Sequence, residues 1–329
     1  MKPPHPSSFS VGFLTESSDE LIRIIGNRVT EEESQLIRQY FDLKLPPITS
    51  VPALSGMFGL NEGFIWSVIN RATKHYRRFE IPKGRTTRTI FAPKVGLKMI
   101  QKWLSIHFQE CWSSPRSVFG FVPGRSHLAA AAQHLGSEWV MSIDIKNFFP
   151  STSTQKVEAA LGRLGYNDEF SRMAITKLTC LRGGLAQGAP SSPILSNIVL
   201  HDLDQRLSQY TEANDLVYTR YADDIVISGN DSPPNDIIDD VRSMVKDDGW
   251  EIAESKTSLD RIPNRLKVHG LLVHGKQIRL TKGYRNKIRA YQHLLANNKI
   301  TDEDFSKISG HIRYASSVEK FDTHPDNYD

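Results

Sequence analysis

Cysteine is scarce in this chain of 329 residues: Cys111 and Cys180 are the only two, and neither stands in a paired or metal-type spacing. Neither a disulfide framework nor a zinc site is therefore supported, and a reducing cytoplasm is the expected compartment. Long apolar runs are missing as well. The opening Met1-Lys2-Pro3-Pro4-His5-Pro6 leads into no signal-type apolar core, and nowhere do about 18 apolar residues follow one another, so neither export nor a membrane span is expected. Internal repeats and low-complexity blocks do not occur. The 11 histidines show no His-x-x-x-His or Cys/His spacing, which leaves His127 and His134 as surface or nucleic-acid contacts and not zinc ligands. Neither sign of charge dominates: 41 Lys plus Arg stand against 37 Asp plus Glu, a net charge of +4 that says little about partners.

The distribution of charge says more than its total. From Arg71 to Lys102 the cations Arg71, Lys74, Arg77, Arg78, Lys83, Arg85, Arg88, Lys94, Lys98 and Lys102 are opposed by Glu80 alone. Clustered cations repel unless solvent or a polyanion compensates them, so this stretch is expected either to be a solvated face or to meet phosphate. The hydrophobic content of 39% is enough for real cores, and the length allows two or three compact units.

Periodicity predicts helices through residues 18–76, then strand-like runs at 79–81 and 89–91 around a turn at Pro82-Lys83-Gly84-Arg85. A helix follows over 95–108 and a loop over 120–126. Trp139-Val140-Met141-Ser142-Ile143 reads as a buried strand with Asp144 at its end. Residues 154–181 are mostly helical with a break at Gly162 and Gly165, and helix resumes from 194 to 207 after a Gly-, Pro- and Ser-rich loop. Strands are expected at 216–218 and 225–228, and near 266–273 and 276–280. Two tail helices are marked by Ile288, Tyr291 and Leu295 and by Phe305, Ile308 and Ile312, the second behind a cap-like Thr301-x-x-Asp304.

Asp223 and Asp224 are neighbouring acids flanked by apolar strand residues, an expensive place for two charges unless something cationic compensates them. A turn is the plain reading of an Asp pair. A third acid, Asp144, ends a separate apolar strand, and three carboxylates from two strands supply the oxygen ligands that Mg²⁺ prefers. Such a set holds two metals about 3.5–4 Å apart, the arrangement for in-line displacement at phosphorus. Gly120-Phe121-Val122-Pro123-Gly124-Arg125 is not a Walker loop, because three residues and not four separate its glycines and Arg125 follows where lysine is needed.

Tyr221-Ala222-Asp223-Asp224 resembles the catalytic motif of reverse transcriptases, and the surrounding segments match that family in order. Residues 141–150 resemble its first-aspartate motif, 184–193 its Gln-Gly motif, 81–90 its fingers hairpin, and Glu254-Ser255-Lys256-Thr257 its later lysine motif. Gly120 to Ser126 resembles a fingers segment near the template. The resemblance implies an α+β, right-hand polymerase fold with fingers, a palm of antiparallel sheet plus helices, and a short helical thumb. Residues 1–75 would be a helical extension, 76–140 fingers, 141–278 palm with some fingers elements, and 279–329 an RNA-binding thumb.

It also implies roles. Asp144, Asp223 and Asp224, with the Ile145 carbonyl, would hold two Mg²⁺ ions. Arg88 and either Lys83 or Arg85 would clamp the triphosphate, Gln187 and Gly188 would line the nucleotide pocket, and Phe149 would exclude a 2′-hydroxyl while Phe148 packs inward. Lys256 would protonate pyrophosphate or hold its charge. Arg125, His134 and His269 would meet nucleic acid. So would Arg279, Lys282, Arg285, Lys287 and Arg289, a run without an intervening acid on which Tyr284, Ile288 and Tyr291 can face the core.

Within the family the chain resembles bacterial retron enzymes. About 100 residues follow the Asp pair, room for a short thumb but not for a further nuclease domain. Retron enzymes carry Asn-Ala-x-x-His where this chain has Ala130-Ala131-Ala132-Gln133-His134, and Val-Thr-Gly where it has Val268-His269-Gly270. The retron resemblance implies a structured noncoding RNA copied from a guanosine 2′-hydroxyl into branched msDNA, a separate effector protein, and a role in anti-phage defence. Another mobile-element reverse transcriptase, or a scaffold of RNA and DNA restraining a toxic effector, are the alternatives.

Overall fold

The computed structural model describes residues 17–84, 86–297 and 299–321. In chain order they form α1 (Ser18–Ile25), α2 (Glu31–Asp42), α3 (Val51–Phe58), α4 (Glu62–Asn70), β1 (Tyr76–Lys83), β2 (Thr86–Pro93), α5 (Val95–Cys111), α6 (His127–Gln133) and β3 (Trp139–Asp144). Then come α7 (Phe148–Ser151), α8 (Thr154–Leu164), α9 (Glu169–Thr179), β4 (Cys180–Leu181), β5 (Gly184–Leu185), α10 (Ser192–Val199) and α11 (His201–Ala213). The rest is β6 (Val217–Tyr221), β7 (Asp224–Gly229), α12 (Ile237–Asp247), β8 (Ser258–Arg261), β9 (Lys267–Val268), β10 (Leu271–Leu272), β11 (Arg279–Leu280), α13 (Lys282–Ala296) and α14 (Asp302–Glu319). Helices mixed with antiparallel sheets give the expected α+β class. No helix among the described residues is long and apolar enough to cross a membrane.

The chain divides into two compact units that it enters alternately. One holds the described residues up to Ser114 together with Asn147–His201; the other holds Pro115–Lys146 and the described residues from Asp202 on.

In the first unit α1 to α4, α8 and α9 start at side-chain caps, as at Thr30, whose hydroxyl accepts from the Glu33 amide (3.1 Å) ahead of a first turn of three glutamates. The hairpin β1–β2 pairs from Tyr76↔Pro93 to Lys83↔Thr86, longer than the sequence suggests. Pro82 and Lys83 are strand, not turn; each strand of a two-stranded ribbon is an edge strand, the kind in which proline is tolerated. Buried Gln101 donates to Tyr76 Oη and to the Leu178 carbonyl, both at 2.7 Å, and so ties the base of the hairpin to α5 and α9.

The second unit is built on an antiparallel sheet in the order β6-β7-β3-β8. Alternation is weak in β3 and β7 because both are central and covered, which is why they read as continuous apolar runs. Val140 and Val226 pack with Leu266, Val268 and Leu271 and with Ile288, Ala315 and Val318 of the two tail helices. Those helices form where the spacing places them, and Thr301 caps α14 by accepting from the Asp304 amide (3.3 Å). The expected strands near 266–280 are three two-residue strands, β11-β10-β9, and Phe305 is 54% exposed instead of buried.

Candidate active site

A two-residue loop, Ala222-Asp223, joins β6 to β7, whose ends pair Tyr221 with Asp224. Ala222 takes a positive φ of 59°, costly for a residue with a Cβ, and strain of that kind persists where surrounding contacts impose it. Those contacts come from below and from the side. Arg220, fully buried, forms a bidentate pair with Asp204 of α11 (2.7 and 2.6 Å) and donates from Nη1 to the Ala222 carbonyl (2.9 Å). Tyr218 adds a third bond to Asp204 (2.6 Å). Alongside, Phe119 donates to the Arg220 carbonyl (2.8 Å), and a Cβ on Gly120 would stand 2.2 Å from the Ala222 nitrogen, so only glycine allows this approach.

The loop brings the three acids to one end of the sheet. Asp144 and Asp224 are direct cross-strand partners, and the Ile145 amide donates to the Asp223 carbonyl (3.0 Å), so the register of β3 against β7 sets the cluster. Asp144 is buried and its Oδ2 accepts from Lys256 Nζ at 2.5 Å. The lysine arrives on the segment before β8, held by the bond from the Ala253 amide to the Asp144 carbonyl (2.8 Å). Burial raises the pKa of Asp223, the charges of Asp144 and Asp224 add to the rise, and Lys256 opposes it. Asp224 Oδ2 lies 3.3 Å from His269 Nδ1.

Three crowded carboxylates with one ammonium as counter-charge are a donor set for a hard divalent cation. Among the described residues no three His, Cys, Asp or Glu side chains are already gathered closely enough to hold a metal ion, so the fit rests on the chemistry of the donors. The residues fit the group that the site calls for: oxygen donors only, and mutual repulsion that a cation would relieve.

Other predicted residues lie elsewhere. In the first unit the Gln187 carbonyl accepts from the Phe91 amide of β2 (2.8 Å), and a Cβ on Gly188 would reach within 2.8 Å of Ile90, so the Gln-Gly loop and the Arg88-bearing strand are stitched together. Arg88 pairs with Ile81 in that hairpin and is half-buried. Arg85 and the side chain of Lys83 lie outside the described residues. Phe148 is buried and Phe149 half-buried, their rings 5.2 Å apart.

Three expected nucleic-acid contacts turn inward. His134 is fully buried between Ser228 Oγ and Thr219 Oγ1, 2.7 Å from each, and burial lowers its pKa to about 3. It therefore braces β6 and β7 and offers no atom to a polyanion. Arg125 donates to the carbonyls of Pro115 and Val118, 2.6 Å each, which fixes its own loop. His269 turns to Asp224. His127, also expected at the surface, is half-buried and stacks on Tyr314 with Nε2 3.0 Å from its hydroxyl. By contrast Arg279, Lys282, Arg285, Lys287 and Arg289 are all exposed, while Ile288 is buried beneath them.

Sequence reasoning missed Arg220 and Asp204. The signal was there: an arginine within an apolar strand, and an acid that shares a helix face with Leu203 and Leu207, each want a buried partner.

The family model for reverse transcriptase (RNA-dependent DNA polymerase) matches residues 81–310. The retron Ec73 reverse transcriptase of Escherichia coli is 30% identical over 279 residues, covering 79% of this chain and 88% of that protein. The chain belongs to the retron-type reverse transcriptases. Also similar are the retron Ec86 reverse transcriptase of E. coli, 29% identical over 84% of this chain and 87% of that one, and the retron Mx65 reverse transcriptase of Myxococcus xanthus, 32% identical over 74% and 62%. Against the Myxococcus enzyme the chain thus spans less than two thirds of its relative's length. Among solved structures, telomerase from Candida albicans aligns over 78% of this chain and 58% of its own, at 12% identity and a TM-score of 0.47. As a reverse transcriptase the chain is an RNA-directed DNA polymerase of right-hand polymerase fold.

Proposed function

We propose that this reverse transcriptase copies part of a structured noncoding RNA into DNA, primed from a guanosine 2′-hydroxyl, to give branched msDNA in a bacterial cytoplasmic anti-phage system with a separate effector protein. The convergence of Asp144, Asp223 and Asp224 at one sheet end, with Lys256 on Asp144, is the observation that carries the chemistry.

Two Mg²⁺ ions, when bound, lower the pKa of the priming hydroxyl and neutralise the triphosphate. Asp144 and Asp223 hold them, with Asp224 and the Ile145 carbonyl completing the oxygen set. Lys256, already poised at Asp144, supplies the proton or positive charge that leaving pyrophosphate needs. Arg88, with Lys83 or Arg85, binds the phosphates of the dNTP. Gln187 and Gly188 line its pocket, and Phe149 excludes the 2′-hydroxyl. The exposed cations Arg279, Lys282, Arg285, Lys287 and Arg289 meet the phosphates of duplex RNA. We read residues 76–140 as fingers, 141–278 as palm and 279–329 as thumb, of which 322–329 lie outside the described residues.

The deciding experiment uses the full chain purified with its nucleic acid. Parent protein with Mg²⁺ and dNTPs is expected to yield a DNA that shifts on a gel after debranching, and Asp223→Ala to incorporate nothing while keeping its fold. A product unaffected by debranching overturns the branched-DNA reading, and undiminished incorporation by Asp223→Ala overturns the assignment of the acids.

A further inference from the structure

The strands β9 and β10 pair Val268 with Leu271, which leaves His269-Gly270 as a two-residue hairpin loop. Both residues have positive φ, 48° and 81°, as a type I′ turn requires. Asparagine or glycine fits such a position more readily than histidine. The turn drives the imidazole inward: its side chain is 7% exposed, its Nδ1 lies 3.3 Å from Asp224 Oδ2, and its ring centroid is 5.3 Å from that of Tyr221. The other nitrogen, Nε2, is buried and meets no hydrogen-bond partner among the described residues. Backbone strain and an unpaired buried nitrogen in one residue persist where the residue's remaining contact matters.

We propose that His269 is a positioning residue for Asp224. The tautomer with its proton on Nδ1 donates to Oδ2, leaves only a lone pair on buried Nε2, and fixes the rotation of the carboxylate. Rotation about the last torsion of aspartate is soft, so a carboxylate without such a partner samples many orientations. Tying Oδ2 leaves Oδ1 as the oxygen for a divalent cation. Asp144, the cross-strand partner of Asp224, has its own holder in Lys256, so the two outer acids of the cluster are each fixed by one nitrogen donor. The inference rests on reading Asp224 as a ligand of the cation.

Partners that orient a metal ligand change metal affinity or turnover about 10- to 100-fold when removed. His269→Gly keeps the turn conformation and removes the donor; His269→Asn also suits the turn and returns an N–H donor at the same branch of the side chain. Binding of Mn²⁺ to the full chain, read from the free-ion electron paramagnetic resonance signal, is expected to weaken about tenfold or more in His269→Gly. In His269→Asn it should stay within about threefold of the parent. Turnover follows the same order, with the KM for dNTP unchanged. Parent-like Mn²⁺ affinity in His269→Gly overturns the proposal, as does a His269→Asn protein no better than His269→Gly, the result that simple packing predicts. Asp224→Asn, run in parallel, separates the two readings: unchanged Mn²⁺ affinity there removes Asp224 from the ligand set, whatever the His269 variants do.

Discussion

Arg220 and Asp204 form a bidentate ion pair in which both side chains have no solvent exposure, and the arginine's remaining branch holds the carbonyl of Ala222 in the loop between β6 and β7. The loop that carries Asp223 thus rests on a buried charge pair donated by a helix and a strand. Burial alone would lower the arginine's pKa; Asp204 outweighs it and leaves that pKa raised.

Removing one partner strands the other charge without solvent, which costs about 3–5 kcal/mol. Asp204→Leu is therefore expected to lower the unfolding free energy by that much in urea titrations. The double variant Asp204→Leu with Arg220→Met should recover a large part of the loss. A double variant no more stable than the single one would refute the charge-stranding argument.

Gly120→Ala places a methyl group against the backbone of Tyr221 and Ala222, at 2.9 and 2.2 Å, where neither side can yield. Overpacking of this kind costs about 1–3 kcal/mol. If the loop carrying Asp223 is part of the proposed site, its displacement should also cost most nucleotide incorporation. Gly283→Ala, which meets nothing within 4 Å in α13, is the control and should be neutral or slightly stabilising in the same melts.

Asp223 has a raised pKa in the fold, chiefly from burial and then from Asp144. A raised acid pKa favours folding below the unfolded value and loses that benefit as pH climbs through the folded one, so near neutrality the ionised group opposes folding. Asp223→Asn is expected to melt higher than the parent at pH 7 in the presence of a chelator, and to be inactive. If the chelated variant melts lower, the carboxylate is not under the electrostatic load described.

His134 shows the opposite sign. Its folded pKa is depressed from 6.5 to about 3 by burial, so its contribution is intact above 6.5 and fades as pH falls toward 3, the unfolded chain taking the proton first. Between pH 6.5 and 5 that amounts to roughly 2 kcal/mol. Denaturation at pH 7.5 and 5.0 should show this slope in the parent and a flatter one in His134→Gln.

Phe149→Val, on the proposed pocket, should admit ribonucleotides that the parent rejects, while Phe148→Val should mainly lower stability because Phe148 is buried. Competition between dGTP and GTP in primer extension checks the difference. Equal discrimination by parent and Phe149→Val would move the steric gate elsewhere.

Much of this was legible in residues alone. The ordered motifs around Asp144, Gln187 and Asp223 lie on short segments whose backbone is set locally by an apolar strand, a two-residue loop or a glycine turn. The capped tail helices were equally plain, because Thr301 and the three-four spacing act within one turn. The fates of Arg125, His134 and His269 were not legible. Each is a polar residue in a loop or helix end, and whether it turns to solvent or to the core depends on partners tens of residues away, such as Thr219 and Ser228 for His134.

The sequence by itself determined the family and the reaction, and it singled out the three acids proposed as the site, since these follow from residue types at fixed short spacings. Only the tertiary structure decided how the acids are held. The pairing of Asp144 with Asp224, the lysine on one and the histidine on the other, and the buried Arg220–Asp204 brace are contacts between distant segments. Strand register and low-dielectric burial arise only when those segments pack, and no local spacing encodes them.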